Sequence, residues 1–263
     1  MSGRVRLPGA LAVVTGAGGG IGRATALALA ARGCRVVAVD VDGVAAKATA
    51  ADCGGEAEQV DVADRDAMAA LADRVGTPEV LVNNAGVGLT GRFLDTTDED
   101  WDWVLSVNLR GVVHGCQVFG PGMVARGRGQ VVNVSSGLAY SPRATEPAYV
   151  TTKAAVLALS QCLRADWGPS GVGVSVVCPG VIDTGIIAAT RFRGTTAERR
   201  ARVQRLFSKG HSPDLVAGAI VGAVDRDRPV VPVGVEAVVG WGLHRLAPAR
   251  LVDRMARTTF RGV

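Results

Sequence analysis

Apolar runs of four to six residues, rich in valine, alternate along the chain with longer alanine- and leucine-rich segments. The runs at 11–14, 35–40, 58–62, 80–83, 130–135, 173–178 and 230–233 predict strands. The segments at 21–32, 44–51, 64–75, 99–125, 149–167 and 214–224 predict helices, and Thr97-Asp98-Glu99-Asp100 has the pattern of a capping box opening the fourth of them. The strands are apolar on both faces, so both faces must be covered. Strict β-α alternation then requires a parallel sheet between two helical layers. Right-handed crossovers make it a doubly wound, Rossmann-type α/β sheet of about seven strands, with the ligand crevice at the carboxyl ends of the strands. Residues 1–263 are expected to form one domain. The alternation breaks once, at 185–213, where a long insertion is expected to act as a lid.

Composition narrows the class. Hydrophobic residues make up 48% of the 263 and charged ones 20%, which excludes a disordered tail protein. The 35 glycines follow no collagen-like period, and aromatics at 4% are too few for single-stranded nucleic-acid stacking platforms. No stretch reaches the roughly 18 apolar residues of a spanning helix. The apolar run 10–14 is too short for a signal-peptide core. The five cysteines (Cys34, Cys53, Cys116, Cys162 and Cys178) lack metal-ligand spacing, so buried thiols in a reducing cytoplasm are expected, with no metal.

Chemistry concentrates where strands end. The first strand runs into Thr15-Gly16-Ala17-Gly18-Gly19-Gly20-Ile21-Gly22 and then a helix. Glycines let the backbone approach a pyrophosphate, and the helix N-terminus offers N–H groups to it. The spacing is Gly16-x-x-x-Gly20-x-Gly22, neither the general dinucleotide fingerprint nor a Walker loop. Asp40 closes the second strand, twenty residues after Gly20. Its carboxylate suits the ribose hydroxyls of NAD and would repel the 2′-phosphate of NADP. Asp61-Val62 and Asn83-Asn84-Ala85-Gly86 end the third and fourth strands at the same edge. Tyr149 and Lys153 share one helix face at i and i+4. An ammonium beside a phenol of pKa about 10 stabilises the phenolate and makes the tyrosine a usable acid/base. Ser136, thirteen residues upstream, can donate a hydrogen bond to a substrate carbonyl oxygen.

These residues resemble the short-chain dehydrogenase/reductase family over nearly the whole chain: the glycine turn, Asp61, Asn83-Asn84-Ala85-Gly86, Asn108, Ser136, Tyr149-x-x-x-Lys153, and Pro179-Gly180 followed by Thr184. The resemblance implies an NAD(H)-dependent oxidoreductase acting on a secondary alcohol or ketone. Tyr149 would be the general acid/base, Ser136 would orient the substrate oxygen, and Lys153 would hold the nicotinamide ribose. Asn108 would hold a water linking Lys153 to solvent. Gly16, Gly20, Ile21, Gly22, Asp40, Asp61, Val62, Asn83, Ala85, Pro179 and Gly180 would contact the cofactor, with Ile182 and Thr184 gripping its carboxamide. The resemblance also implies a homodimer or tetramer through the fourth and fifth helices, where Gly111 and Gly115 would permit close approach. An NADPH-dependent reductase and a non-catalytic nucleotide sensor are the alternatives. Asp40 opposes the first, and the intact Ser136, Tyr149 and Lys153 set opposes the second.

Leu89, Phe93, Leu138, Ile186, Ile187, Phe192, Val203, Leu206 and Phe207 fall in the segments that set substrate choice, which favours a hydrophobic steroid-, retinoid- or lipid-like compound. The formal charge of +5 is uneven: residues 1–190 hold 15 basic and 18 acidic side chains, residues 191–263 hold 14 and 6. The basicity therefore belongs to the lid and to a tail at 240–263, where Arg250, Arg254, Arg257 and Arg261 recur at helical spacing. No DNA-reading module accompanies them, so nucleic acid is not an expected partner. Such a helix can dock on a neighbouring subunit, cover the cleft, or lie peripherally on an anionic membrane.

Overall fold

The computed structural model describes residues 5–195, 197–248 and 250. Its strands are β1 (Leu11–Thr15), β2 (Arg35–Asp40), β3 (Glu56–Gln59), β4 (Val80–Asn83), β5 (Gly88–Thr90), β6 (Gly129–Val134), β7 (Val172–Pro179), β8 (Thr190–Phe192) and β9 (Val230–Val233). The helices are α1 (Gly20–Ala31), α2 (Gly43–Cys53), α3 (Arg65–Val75), α4 (Asp98–Leu105), α5 (Gly111–Arg126), α6 (Pro147–Trp167), α7 (Ala197–Phe207), α8 (Pro213–Arg226) and α9 (Val235–Leu246).

Seven strands form one parallel sheet in the order β3-β2-β1-β4-β6-β7-β9, and β5 pairs with β8 as a separate parallel ribbon. The near-continuous valine runs are explained by burial on both faces. In β1, Val14 packs with Leu29 of α1 and Ile220 of α8, whereas Val13 packs with Met68 of α3, Phe119 and Met123 of α5, and Val156 of α6. Strand order reverses on either side of β1, so the crevice outside β1 and β4 lies at the topological switch point.

Four sequence expectations change. β3 is paired at Glu56–Gln59, so Asp61-Val62 lies in the following loop; Val60 and Val62 are buried against the α3–α5 layer rather than in the sheet. The helix expected at 99–125 is interrupted by a π turn at Ser106–Arg110, which separates α4 from α5. The segment 185–213 carries β8 and α7, and α9 follows β9. Cys34, Cys116 and Cys178 are buried free thiols, whereas Cys53 is half-buried and Cys162 exposed. The capping box at Thr97 forms, with Asp100 as its reciprocal partner. No helix among the described residues is long and apolar enough to cross a membrane. Of the basic tail, residues 251–263 lie outside the described residues.

Candidate active site

Two turns at the switch point are stitched together. Asn84 Nδ2 donates to the carbonyls of Thr15 and Gly16 at 2.9 and 3.1 Å, while Thr15 Oγ1 accepts the N–H groups of Asn84 and Ala85. Gly16 and Gly20 take positive φ (65° and 49°), and a Cβ on Gly22 would stand 2.6 Å from Asn84 Nδ2. The turn is therefore shaped for close backbone approach. α1 follows an N-cap Gly19 with no side-chain cap and has no acidic residue in its first turn, whereas α2, α3, α4 and α8 are capped by Asp42, Asp64, Thr97 and Ser212. An uncapped helix start behind a glycine turn leaves its N–H groups and dipole to an anion.

Asp40 is held by its own surroundings. Its Oδ2 accepts Gly18 N–H at 2.7 Å and its Oδ1 accepts Asp42 N–H at 3.0 Å. The carboxylate thus joins the glycine turn to the start of α2 and stays at the rim of a cavity of about 670 Å³. The walls of this cavity include Gly16, Gly20, Ile21, Asp40, Asp61, Val62, Ala85, Ser136, Tyr149, Lys153, Pro179, Gly180, Ile182 and Thr184.

Three expected site residues stand elsewhere. Gly22 lies behind the turn against Gly16. Asn83 is buried under the sheet edge: its Nδ2 donates to Asn133 Oδ1 at 2.9 Å, Asn133 Nδ2 donates to Ser160 Oγ at 3.0 Å, and Ser160 Oγ donates to Val156 O. The neighbouring Asn84 faces the cleft instead. Asn108 sits in the π turn, fully buried, accepting Val87 N–H at 2.8 Å and donating to Val87 O and Thr152 Oγ1. A Cβ on Gly86 would lie 3.3 Å from Asn108 Oδ1 and 3.4 Å from Lys153 Nζ, so the two side chains flank one small space.

Gly111 and Gly115 face inward: a Cβ on Gly111 would meet Val62, and one on Gly115 would meet Asn83. They allow α5 to sit close to the loop that carries Val62 and to the end of β4.

On α6, Lys153 is 4% exposed, its Nζ donates to Val134 O at 3.1 Å and lies 5.7 Å from the centre of the Tyr149 ring. Ser135 Oγ donates to Lys153 O at 2.7 Å and ties β6 to that helix. Burial pushes the Lys153 ammonium down to about 8. Burial also pushes the Tyr149 phenol up to about 12; a hydrogen bond with Ser136 opposes this and the charge of Glu146 adds to it. In the chain alone, desolvation thus outweighs the expected depression of the phenol by Lys153. Tyr140 is instead structural, donating to Ala237 O on α9 at 2.9 Å.

A second cavity, of about 170 Å³, adjoins the first, and Ser136, Tyr149, Pro179 and Gly180 border both. Leu89, Leu138, Ile186, Ile187, Val203 and Phe207 line it as expected, but Phe93 and Leu206 are 63% and 50% exposed and Phe192 is not in its wall. Ser141, Arg143, Glu146 and Glu236 also line it. Sequence reasoning missed these polar walls, although Glu146 stands one helical turn before Tyr149, a spacing that places it near the phenol.

Residues 10–193 match the family model described as short chain dehydrogenase. Over 258 residues the chain is 48% identical to the protein named "Probable oxidoreductase EphD" of Mycobacterium tuberculosis, an alignment covering 92% of this chain and 44% of that protein. It is 36% identical over 227 residues to the D-threitol dehydrogenase of Mycolicibacterium smegmatis, covering 82% and 86% of the two chains. A short chain dehydrogenase/reductase from Burkholderia phymatum, crystallised in complex with NAD, superposes with a TM-score of 0.84 at 30% identity, covering 92% of this chain and 94% of that one. The chain belongs to the short-chain dehydrogenase/reductase family of oxidoreductases. It spans less than half the length of the M. tuberculosis relative.

Proposed function

We propose that the chain is an NAD(H)-dependent dehydrogenase or ketone reductase acting on a secondary alcohol or ketone, with Tyr149 as general acid/base. One observation carries this reading: Ser136 and Tyr149 stand where the two cavities meet. A substrate oxygen in the smaller cavity would meet both hydroxyls while its carbon faces the larger one. When bound, the dinucleotide gives or takes the hydride. The residues of this chain govern the proton. Ser136 and the Tyr149 oxygen hold the substrate oxygen; the phenol protonates it in reduction, and the phenolate takes its proton in oxidation. The Lys153 charge favours the phenolate. The small space between Asn108 and Lys153 at Gly86 supports a water-mediated exit for the proton.

Gly16, Gly20 and Ile21, with the start of α1, would hold the pyrophosphate, Asp40 the adenosine ribose, and Ile182 and Thr184 the carboxamide. NAD is favoured over NADP because Asp40, Asp42 and Asp61 border the cavity, and among its described walls the basic side chain is Lys153, beside Tyr149. The apolar walls of the smaller cavity support a substrate with a hydrophobic body. Arg143, Glu146 and Ser141 in the same walls, together with the similarity to a threitol dehydrogenase, favour a polyhydroxy substrate as a second reading. A single catalytic domain, a cytoplasmic site, and dimer or tetramer assembly belong to this proposal through the family, with ultracentrifugation the check on assembly.

The test is a panel of hydrophobic secondary alcohols, ketones and four- to six-carbon polyols, followed by absorbance with NAD or NADP. Tyr149→Phe is expected to cut turnover by about 10²–10⁴-fold while leaving NADH binding near wild type. Turnover retained in that variant, or wild-type protein that binds no NADH, overturns the reading.

A further inference from the structure

The segment after residue 185 is fastened to the body of the protein through one acidic side chain. Asp100, in the first turn of α4, has a side chain only 1% exposed. Its carboxylate accepts the guanidinium fork of Arg193, Nε to Oδ2 and Nη2 to Oδ1, both at 2.7 Å. Arg191 Nη1 approaches Oδ1 at 3.4 Å. Oδ2 also accepts Thr97 N–H at 3.3 Å and closes the capping box, so the anchor is rooted in the start of α4. A bidentate pair of this kind fixes direction as well as distance.

The two arginines flank Phe192 at the end of β8. The Arg191 guanidinium lies 3.9 Å from the centre of the Trp103 ring, and Trp103 borders the larger cavity. Arg193 N–H donates to Thr90 O at 2.8 Å, continuing the β5–β8 ladder. β5 in turn packs through Leu89 on Val104 of α4 and on Ala148, the residue before Tyr149. Ile186, Ile187 and Thr190, on the chain leading into the anchor, border the smaller cavity.

We propose that Asp100 is a positioning residue which, through Arg191 and Arg193, holds residues 185–195 closed beside Tyr149, with α7 following them, and so governs how tightly bound dinucleotide and substrate are retained. Its effect on ligands rests on the functional reading above; its effect on the segment does not. Asp100→Asn keeps an oxygen acceptor for Thr97 N–H and removes the charge. Arg193→Met keeps length and removes the fork, and Arg193→Lys keeps one charged donor.

The readouts are tryptic cleavage within α7, whose Arg200, Arg202 and Arg205 are exposed, the NADH dissociation constant by fluorescence, and the melting temperature. D100N and R193M are each expected to speed cleavage about ten-fold and to weaken NADH several-fold, with R193K between them and wild type. The D100N/R193M double variant should be no worse than D100N alone, since D100N already removes the charge that Arg193 pairs with. Cleavage and NADH binding at wild-type levels in both single variants, or additive effects in the double, overturn the proposal. Should wild-type protein bind no NADH, the functional reading fails while the cleavage comparison still decides the anchor.

Discussion

Replacing Lys153 by methionine should make the protein more stable while abolishing its chemistry. The side chain is 4% exposed, and burial lowers its pKa from 10.5 to about 8. A displacement of that size means that keeping the ammonium charged inside the fold costs about 3 kcal/mol. Methionine has similar length and no charge, so the cost disappears. The hydrogen bond to Val134 O disappears with it, a loss of about 1–2 kcal/mol. The net expectation is a gain of about 1–2 kcal/mol at pH 7, or about 2–6 °C in melting temperature. The pH dependence has a definite sign. A lysine whose folded pKa is depressed contributes stability above its unfolded value, and that stability is lost as pH falls through the folded value. The advantage of Lys153→Met over wild type should therefore be full below pH 8 and shrink as pH climbs toward 10.5. Tyr149, raised from 10 to about 12, gives the opposite slope above pH 10, so thermal melts should span pH 7 to 10. A lower melting temperature for the variant at pH 7, or a difference that grows with pH, would refute the assignment of a buried, destabilising charge.

Three further outcomes are expected. Gly22→Ala places a Cβ 2.6 Å from Asn84 Nδ2 and 2.7 Å from Gly16 carbonyl carbon; it should cost about 1–3 kcal/mol and weaken NADH binding, and wild-type affinity by titration would contradict the turn geometry. Asp40→Ala should shift kcat/KM toward NADP, and it should also destabilise the protein by about 1–3 kcal/mol because two backbone N–H groups lose their acceptor; an unchanged cofactor ratio removes Asp40 from the specificity argument. Asp100 is held at about 2, first by its hydrogen bond from Arg193. Its contribution is complete above the ordinary carboxylate range and lost as pH falls through 2, so Arg193→Met should flatten the acid limb of a stability profile measured by urea unfolding.

The sheet was legible because burial on both faces writes long valine runs. The strands expected at 35–40, 80–83 and 230–233 have those bounds in the structure. Elsewhere the pattern misled for identifiable reasons. Val60 and Val62 are apolar for the sake of the α3–α5 layer, so the pattern places the strand two residues late. The π turn at Ser106–Arg110 leaves no mark in a 3.6-residue period. β5 and β8 have three residues each and lie a hundred residues apart in sequence, too short and too distant for periodicity to pair them. α7 is largely polar and arginine-rich, so no apolar period sets it apart from a loop. At the site, residue type and spacing single out Tyr149, Lys153 and Asp40, whereas a serine at a strand end is an ordinary turn former and Ser136 stands out only through the family resemblance. The exchange of roles between Asn83 and Asn84 is not legible in either way, because which of two adjacent amides faces the cleft depends on how the strand ends.

That buried Asn83 has a consequence for how the chain chooses among alternatives. β4 and β6 are paired with Val82 beside Val132 and Asn83 beside Asn133. A slide by two residues, about 6.6 Å, would keep each side chain on its own face and, in one direction, set Val80 beside Val132 and Val82 beside Val134. It would also part Asn83 from Asn133, leaving buried polar groups without partners at roughly 1–3 kcal/mol apiece. The amides therefore serve as an index mark on an otherwise featureless ruler. The mark reaches the catalytic edge: Ser136 follows Asn133 by three residues, and Ser160 lies on the helix that carries Tyr149. The same unit that rejects misaligned strands thus sets the reach between the Ser136 and Tyr149 hydroxyls, which border both cavities.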